Sequence, residues 1–175
     1  MALTGPEEFG DPCRECGYQW PQTPGDIARI HAQVHQSLDA ITVAQFGRVT
    51  AAPLWSVGEY LCHIGDNERI WAERFAALDH RPTAVPIAPF DQDKLAEARN
   101  YHLIGYASSM WSLKRAFEDF TETSQAALRH DATLLHPERG ALSALDAVNT
   151  VVHDCYHHWW DIRRILAEGH GADHR

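Results

Sequence analysis

His153 and His157 stand four residues apart in the run His153-Asp154-Cys155-Tyr156-His157-His158. On a helix this spacing puts both imidazoles on one face, one turn apart, where two ring nitrogens can meet one metal ion. His158 points roughly 100° away from His157, which suits a packing or supporting role. A third ligand must come from another element. His63 is the candidate, because it sits in a stretch that is otherwise strongly apolar. Helical bundles build metal sites from side chains on facing helices. Three neutral imidazoles would leave one coordination position for water or substrate, as catalytic zinc sites do.

A second motif with chemistry in it is Cys13-Arg14-Glu15-Cys16-Gly17. Its spacing suits zinc or thiol chemistry, but no second C-x-x-C follows. Two readings stand open: a turn with two packed or free thiols, or a mixed site in which Cys13 and Cys16 join His153 and His157. The mixed site would be closed and structural. Glu59 lies one helical turn before His63, as either a capping residue or a general base. Asn149 and Asp161 flank the histidine pair at the same four-residue step and are candidates to orient an imidazole. Cys62 and Cys155 adjoin the ligands in sequence, but their helical angles make them small core residues. Among the tryptophans, Trp160 is the best candidate to line a pocket above the metal. Arg163 and Arg164 read as ion-pair partners of Asp161, Asp66 or Glu68.

Four helices must hold these residues. The first is expected from Pro24 to about Gln45, capped by Thr23, with Ile27, Ile30, Val34, Leu38 and Ile41 at helical spacing. His31 and His35 lie beside that stripe, as exposed or internally satisfied side chains. The second runs from Val57 to Leu78, opened by the Ser56-Val57-Gly58-Glu59 capping box. The third occupies most of Leu95 to Leu128, with a break near Gly105, and the fourth runs from Ser143 to about Glu168. No strand-length alternation stands out, so the expected class is all-α. Between the second and third helices, residues 80–92 hold three prolines, which exclude a regular helix. Extended, they reach about 40 Å, the full length of a bundle, and so permit a long crossover. The expected organisation is an irregular arm over residues 1–22, a bundle over 23–170 and a tail over 171–175.

Fifteen Lys and Arg against 24 Asp and Glu give a net charge of −9, which argues against a nucleic-acid partner. Apolar runs are broken before the ~20 residues of a membrane span, and the first twelve residues do not read as a secretory signal. The expected compartment is the cytoplasm.

Two segments resemble the DinB/YfiT-like family. Trp55-Ser-Val-Gly-Glu-Tyr-Leu-Cys-His63-Ile-Gly-Asp66 is similar to its W-s-x-x-E-x-x-x-H-x-x-D helix. His153-Asp-Cys-Tyr-His157-His158-Trp-Trp-Asp161-Ile-Arg163 is similar to its H-x-x-x-H-H-x-x-D-I-R helix. Cys13-Arg-Glu-Cys16-Gly17 resembles the C-x-E-C-G opening of an actinobacterial branch. The resemblance implies an up-down-down-up four-helix bundle, with His63, His153 and His157 as metal ligands. It also implies a metal-dependent S-transferase that joins a low-molecular-weight thiol such as mycothiol to an electrophilic small molecule, the ion holding the thiol as thiolate. The alternatives are a hydrolase using metal-bound water, or a non-catalytic metal-binding protein. Zinc is the first expectation for the ion, with nickel, iron and manganese also compatible with imidazole ligands. A homodimer through bundle faces is compatible with the pattern.

Overall fold

The computed structural model describes residues 4–51, 55–80, 84–129 and 133–168. The expected tail at 171–175 lies outside the described residues, as do 81–83 of the crossover and 130–132. The elements, in order, are α1 (Gly5–Phe9), α2 (Pro24–Asp39), α3 (Val43–Phe46), α4 (Val57–Ala76), β1 (Ala84–Pro86), α5 (Gln92–Arg99), α6 (Tyr106–Ala127), β2 (Thr133–His136), β3 (Gly140–Ser143) and α7 (Ala144–Glu168). Helices α2, α4, α6 and α7 form the four-helix bundle.

Local signals place most of the helix starts. Thr23 accepts a hydrogen bond from the Asp26 amide, with Pro24 at the first helical position. Ser56 and Glu59 form a reciprocal capping box at α4, and Ser143 caps α7 through the Asp146 amide at 3.0 Å. The expected break near Gly105 is present, with Gly105 as the N-cap of α6.

Two expectations need correction. The first helix does not continue to Gln45. It ends at Asp39, and Thr42 with Gln45 forms a new capping box that opens α3. That local hydrogen bonding competes with continuing the first helix. The segments read as irregular also contain a small three-stranded sheet in the order β1-β2-β3, beside the helical bundle. β1 pairs parallel to β2 (Val85 with Leu134), and β2 pairs antiparallel to β3 (Leu134 with Leu142). Each strand has three or four residues, too few to show an alternating pattern.

The core is in two clusters. One gathers Tyr18, Trp20, Ile27, Trp71, Phe75, Phe120, Leu134, Leu142 and Val148. The other gathers Val34, Leu38, Leu61, Ile64, Leu113, Ile162 and Ile165. Helices α4 and α6 make the most extensive helix–helix contact. Gly65 allows their close approach, since a Cβ there would sit 3.4 Å from the Leu113 Cα. The arm before α2 packs on this bundle. Cys13, Cys16, Tyr18 and Trp20 are all buried in the first cluster, so the arm contributes to the core. No described helix is long and apolar enough to cross a membrane.

The α4 capping box gives a test. Ser56→Ala should cost about 1 kcal/mol of stability, read as a lower urea midpoint with an unchanged slope.

Candidate metal centre

Helix α7 carries two i, i+4 pairs side by side: His153 with His157, and Asp154 with His158. Each pair is one residue, roughly 100°, round from the other. The pairs therefore face different neighbours. The N-terminal arm covers the first pair, and α4 meets the second.

Ligand atoms of Cys13, Cys16, His153 and His157 all lie within 4.8 Å of one another. The arm is shaped for this. The Gly17 amide donates to the Cys13 carbonyl at 3.0 Å, and the Cys13 amide donates to the Tyr18 carbonyl at 2.8 Å. This turn holds both sulfurs on one side. It needs Gly17, whose φ of +76° lies in the left-handed region. The arm is anchored to α7 by Asn149, which accepts from the Tyr18 hydroxyl at 2.7 Å and donates to the Pro21 carbonyl at 2.9 Å. Asn149 thus holds the arm, where an imidazole-orienting role was expected. Trp20 donates to the Gly10 carbonyl and packs its ring 4.6 Å from that of His153.

Phe9, Tyr18 and Trp20 enclose the His153 ring. Its Nε2 is buried with no hydrogen-bond partner. Burial pulls this imidazole down to about 4, against the opposing pull of Asp154, so it is neutral at pH 7, the form that ligates metals. Burial, with Cys13 beside it, pushes the Cys16 thiol up to about 12. Two sulfurs and two imidazoles in a buried cluster, one nitrogen orphaned, fit a tetrahedral zinc ion of the Cys2His2 type. His157 is the more exposed member of the group, its Nε2 3.5 Å from a Glu15 carboxylate oxygen.

His63 is elsewhere. It is 1% exposed on α4 and groups with Asp154 and His158. Its Nε2 lies 3.5 Å from Asp154 Oδ2, and neither ring nitrogen has a hydrogen-bond partner. The expected set of His63, His153 and His157 is therefore not brought to one point. The rotation between adjacent α7 residues turns His153 and His157 toward the arm, and Asp154 and His158 toward α4. Asn67 on α4 donates to Asp154 at 2.7 Å. Burial acts to raise Asp154, but His158 and His63 hold its carboxyl well below the usual range. Burial acts to lower His158, but Asp154 and Asp161 outweigh it and raise the imidazole to about 9. Asp154 was absent from the expected site. The sequence does contain the Asp154-x-x-x-His158 spacing, but only the packing shows that it faces α4.

Asp161 sits between the groups, its Oδ2 3.3 Å from His158 Nδ1 and 3.9 Å from His157 Nε2. Glu59 is engaged by its cap, accepting from the Ser56 amide and hydroxyl at 2.8 and 2.7 Å. Arg164 lies 3.7 Å from Asp161 and over the Trp160 ring, while Arg163 stacks on Trp159. A cavity of about 320 Å³ opens beside both groups. Cys13, Gln92, His153, Asp154, His157 and His158 are among its lining residues, whereas Trp160 is not.

The chain is thus a four-helix bundle with candidate cysteine, histidine and carboxylate metal donors gathered around one helix. The comparisons place it further. The model of the DinB superfamily matches residues 26–162, and the chain belongs to that superfamily. Among solved structures it is similar to YfiT from Bacillus subtilis, described as "a probable metal-dependent hydrolase with an unusual four-helix bundle topology". The TM-score is 0.66 at 17% identity, covering 82% of this chain and 83% of that one. No match was found among curated proteins.

The arm anchor is testable. Tyr18→Phe leaves the buried Asn149 carbonyl without its donor and should cost about 1–3 kcal/mol. Limited proteolysis should then cut the arm ahead of the bundle.

Proposed function

We propose that this protein binds a divalent metal ion, zinc by its donor set, through Cys13, Cys16, His153 and His157. The observation that carries this reading is the convergence of those four donor atoms in a buried cluster with His153 Nε2 unpartnered. Four protein ligands complete a tetrahedral sphere, the arrangement of structural zinc sites. The bound ion would hold both sulfurs as thiolates. Its role here is to staple the N-terminal arm to α7. The arm supplies one wall of the adjacent cavity, so the staple also shapes that cavity. This reading displaces the thiol-transfer mechanism from these four residues, because Cys13 and Cys16 stand where a thiol substrate would have to bind.

A second reading follows from the neighbouring group. Asp154 and His158 line the cavity of about 320 Å³, a size suited to a small molecule, and His63 is buried behind them with its Nε2 3.5 Å from Asp154. Two imidazoles and a carboxylate are a donor set for a divalent ion with open positions, which can activate water. Asn67 holds Asp154 in place, and Asp161 holds His158. This supports small-molecule chemistry of the hydrolytic kind. Transfer of a low-molecular-weight thiol at the same place is the competing reaction, and a requirement for added thiol separates the two.

Elemental mass spectrometry of untagged protein tests the first reading. Metal at the arm site should be lost in Cys13→Ser/Cys16→Ser, and the arm should become protease-sensitive. A double variant with unchanged metal content and an intact arm would overturn it. For the second reading, esters, amides and thiol–electrophile pairs are screened with wild type, His63→Ala and Asp154→Asn. Any turnover located here should fall at least a hundredfold in both variants while the arm-site metal remains. Turnover unchanged in both would place the chemistry elsewhere.

A further inference from the structure

Three buried groups in the centre of the bundle take no part in the arm site: His31 and His35 on α2, and Glu68 on α4. They are 3%, 4% and 1% exposed. Both imidazole Nε2 atoms lie 2.6 Å from the same carboxylate oxygen, Glu68 Oε1. The second oxygen, Oε2, is buried with no hydrogen-bond partner. Cys155 of α7, 1% exposed, brings its sulfur to 3.7 Å from His35 Nε2. Phe117 of α6 covers the group, its ring 4.3 Å from that of His35 and 4.9 Å from that of His31. All four helices therefore meet at this point.

The position is unusual for so polar a cluster. On α2 the histidines fall between Ile27 of one apolar cluster and Leu38 of the other. On α4 Glu68 falls between Trp71 and Ile64, and on α7 Cys155 falls between Val152 and Ile162. The group forms a layer that separates the two halves of the core. A carboxylate in such a place is strongly destabilising unless its charge and both oxygens are satisfied. Two imidazoles crowd one oxygen and leave the other without a partner.

We propose that His31, His35, Glu68 and Cys155 form a further metal site, a buried tetrahedral centre for a divalent ion of the zinc type. Their four ligand atoms already lie within 4.8 Å of one another. With two neutral imidazoles, one carboxylate and one thiolate, a divalent ion gives a centre with no net charge, the state that suits full burial. Binding releases the Cys155 proton, and any proton shared between Glu68 and its imidazoles, to solvent. The mixed nitrogen, oxygen and sulfur set matches zinc and its spectroscopic substitute cobalt, not the all-oxygen sites of magnesium or calcium. A groove of about 290 Å³ between α2, α6 and α7 reaches His31, with the buried, unpartnered Thr121 hydroxyl among its lining. It supplies a path for the ion.

The test uses Co2+ added to the metal-stripped full chain, both as native protein and during refolding. Readouts are bound metal per chain and the near-ultraviolet thiolate-to-cobalt absorption. Cys13→Ser/Cys16→Ser removes the sulfur of the arm site, so the thiolate signal remaining in that variant comes from Cys155. We expect one thiolate-bound cobalt per chain there, lost when Cys155→Ala is added. In otherwise wild-type protein, Cys155→Ala should remove one cobalt–thiolate equivalent and leave the arm site's, which serves if the arm variant does not fold. Cobalt–thiolate absorption insensitive to Cys155→Ala, or absent from the folded arm variant, would overturn the proposal. Failure of the arm site alone gives a different result: wild type would hold the Cys155-dependent ion and nothing that Cys13→Ser/Cys16→Ser removes.

Discussion

Much of this structure depends on the geometry of one helix. Adjacent residues on α7 are turned by roughly 100°, so a run of donors cannot all face one point. His153 and His157 look to the arm, Asp154 and His158 to α4, and Cys155 into the centre of the bundle. Three donor clusters therefore radiate from six consecutive residues. Each is completed by a different element: the C-x-x-C turn, His63 on α4, and the His31–His35–Glu68 layer.

The arm is the element that makes this arrangement specific. The arm was expected to be irregular; it holds the short helix α1 and is ordered by buried aromatic rings, by the Asn149 bridge and by the Gly17 turn. A segment with little regular structure cannot satisfy its own backbone groups, so it must borrow partners from the bundle. Asn149 provides one, donating to the Pro21 carbonyl, and also accepts from the Tyr18 hydroxyl. The reward is apolar burial of Tyr18 and Trp20 together with the placing of two sulfurs beside two imidazoles. Covering the first α7 face in this way also leaves a cavity at the arm's edge, where Asp154 and His158 are reached.

Buried ionisable groups are costly, and the interior holds His31, His35, His63, Asp66, Glu68, His153 and Asp161. Most lie in the donor clusters, and Asp161 supports two of the histidines. The orphaned atoms among them, on His63, His153 and Glu68, fall in those same clusters. A core chosen for stability alone would fill these places with leucine. Their concentration on the helix faces that meet α7 is what supports the metal sites proposed for this protein.

Much of the framework was legible in the sequence. Capping residues Thr23, Ser56 and Ser143, the apolar periodicities and the break at Gly105 depend on neighbours within one turn, so local chemistry determined them. The histidine pair and the C-x-x-C turn were legible as metal-binding patterns for the same reason, and their possible union in one closed site was open from the start. The restart at Thr42 was a capping signal within a continuous apolar stripe, and the two signals conflicted. Three choices belonged to the tertiary structure. It decided which side of α7 the arm would cover, and hence that His63 would meet Asp154 and His158. It buried His31 and His35 by placing Glu68 opposite them. It paired strands of three or four residues that have no pattern of their own. Each depends on how distant segments rotate against one another, and a helical period fixes relative angles on one helix while leaving the orientation toward its neighbours free.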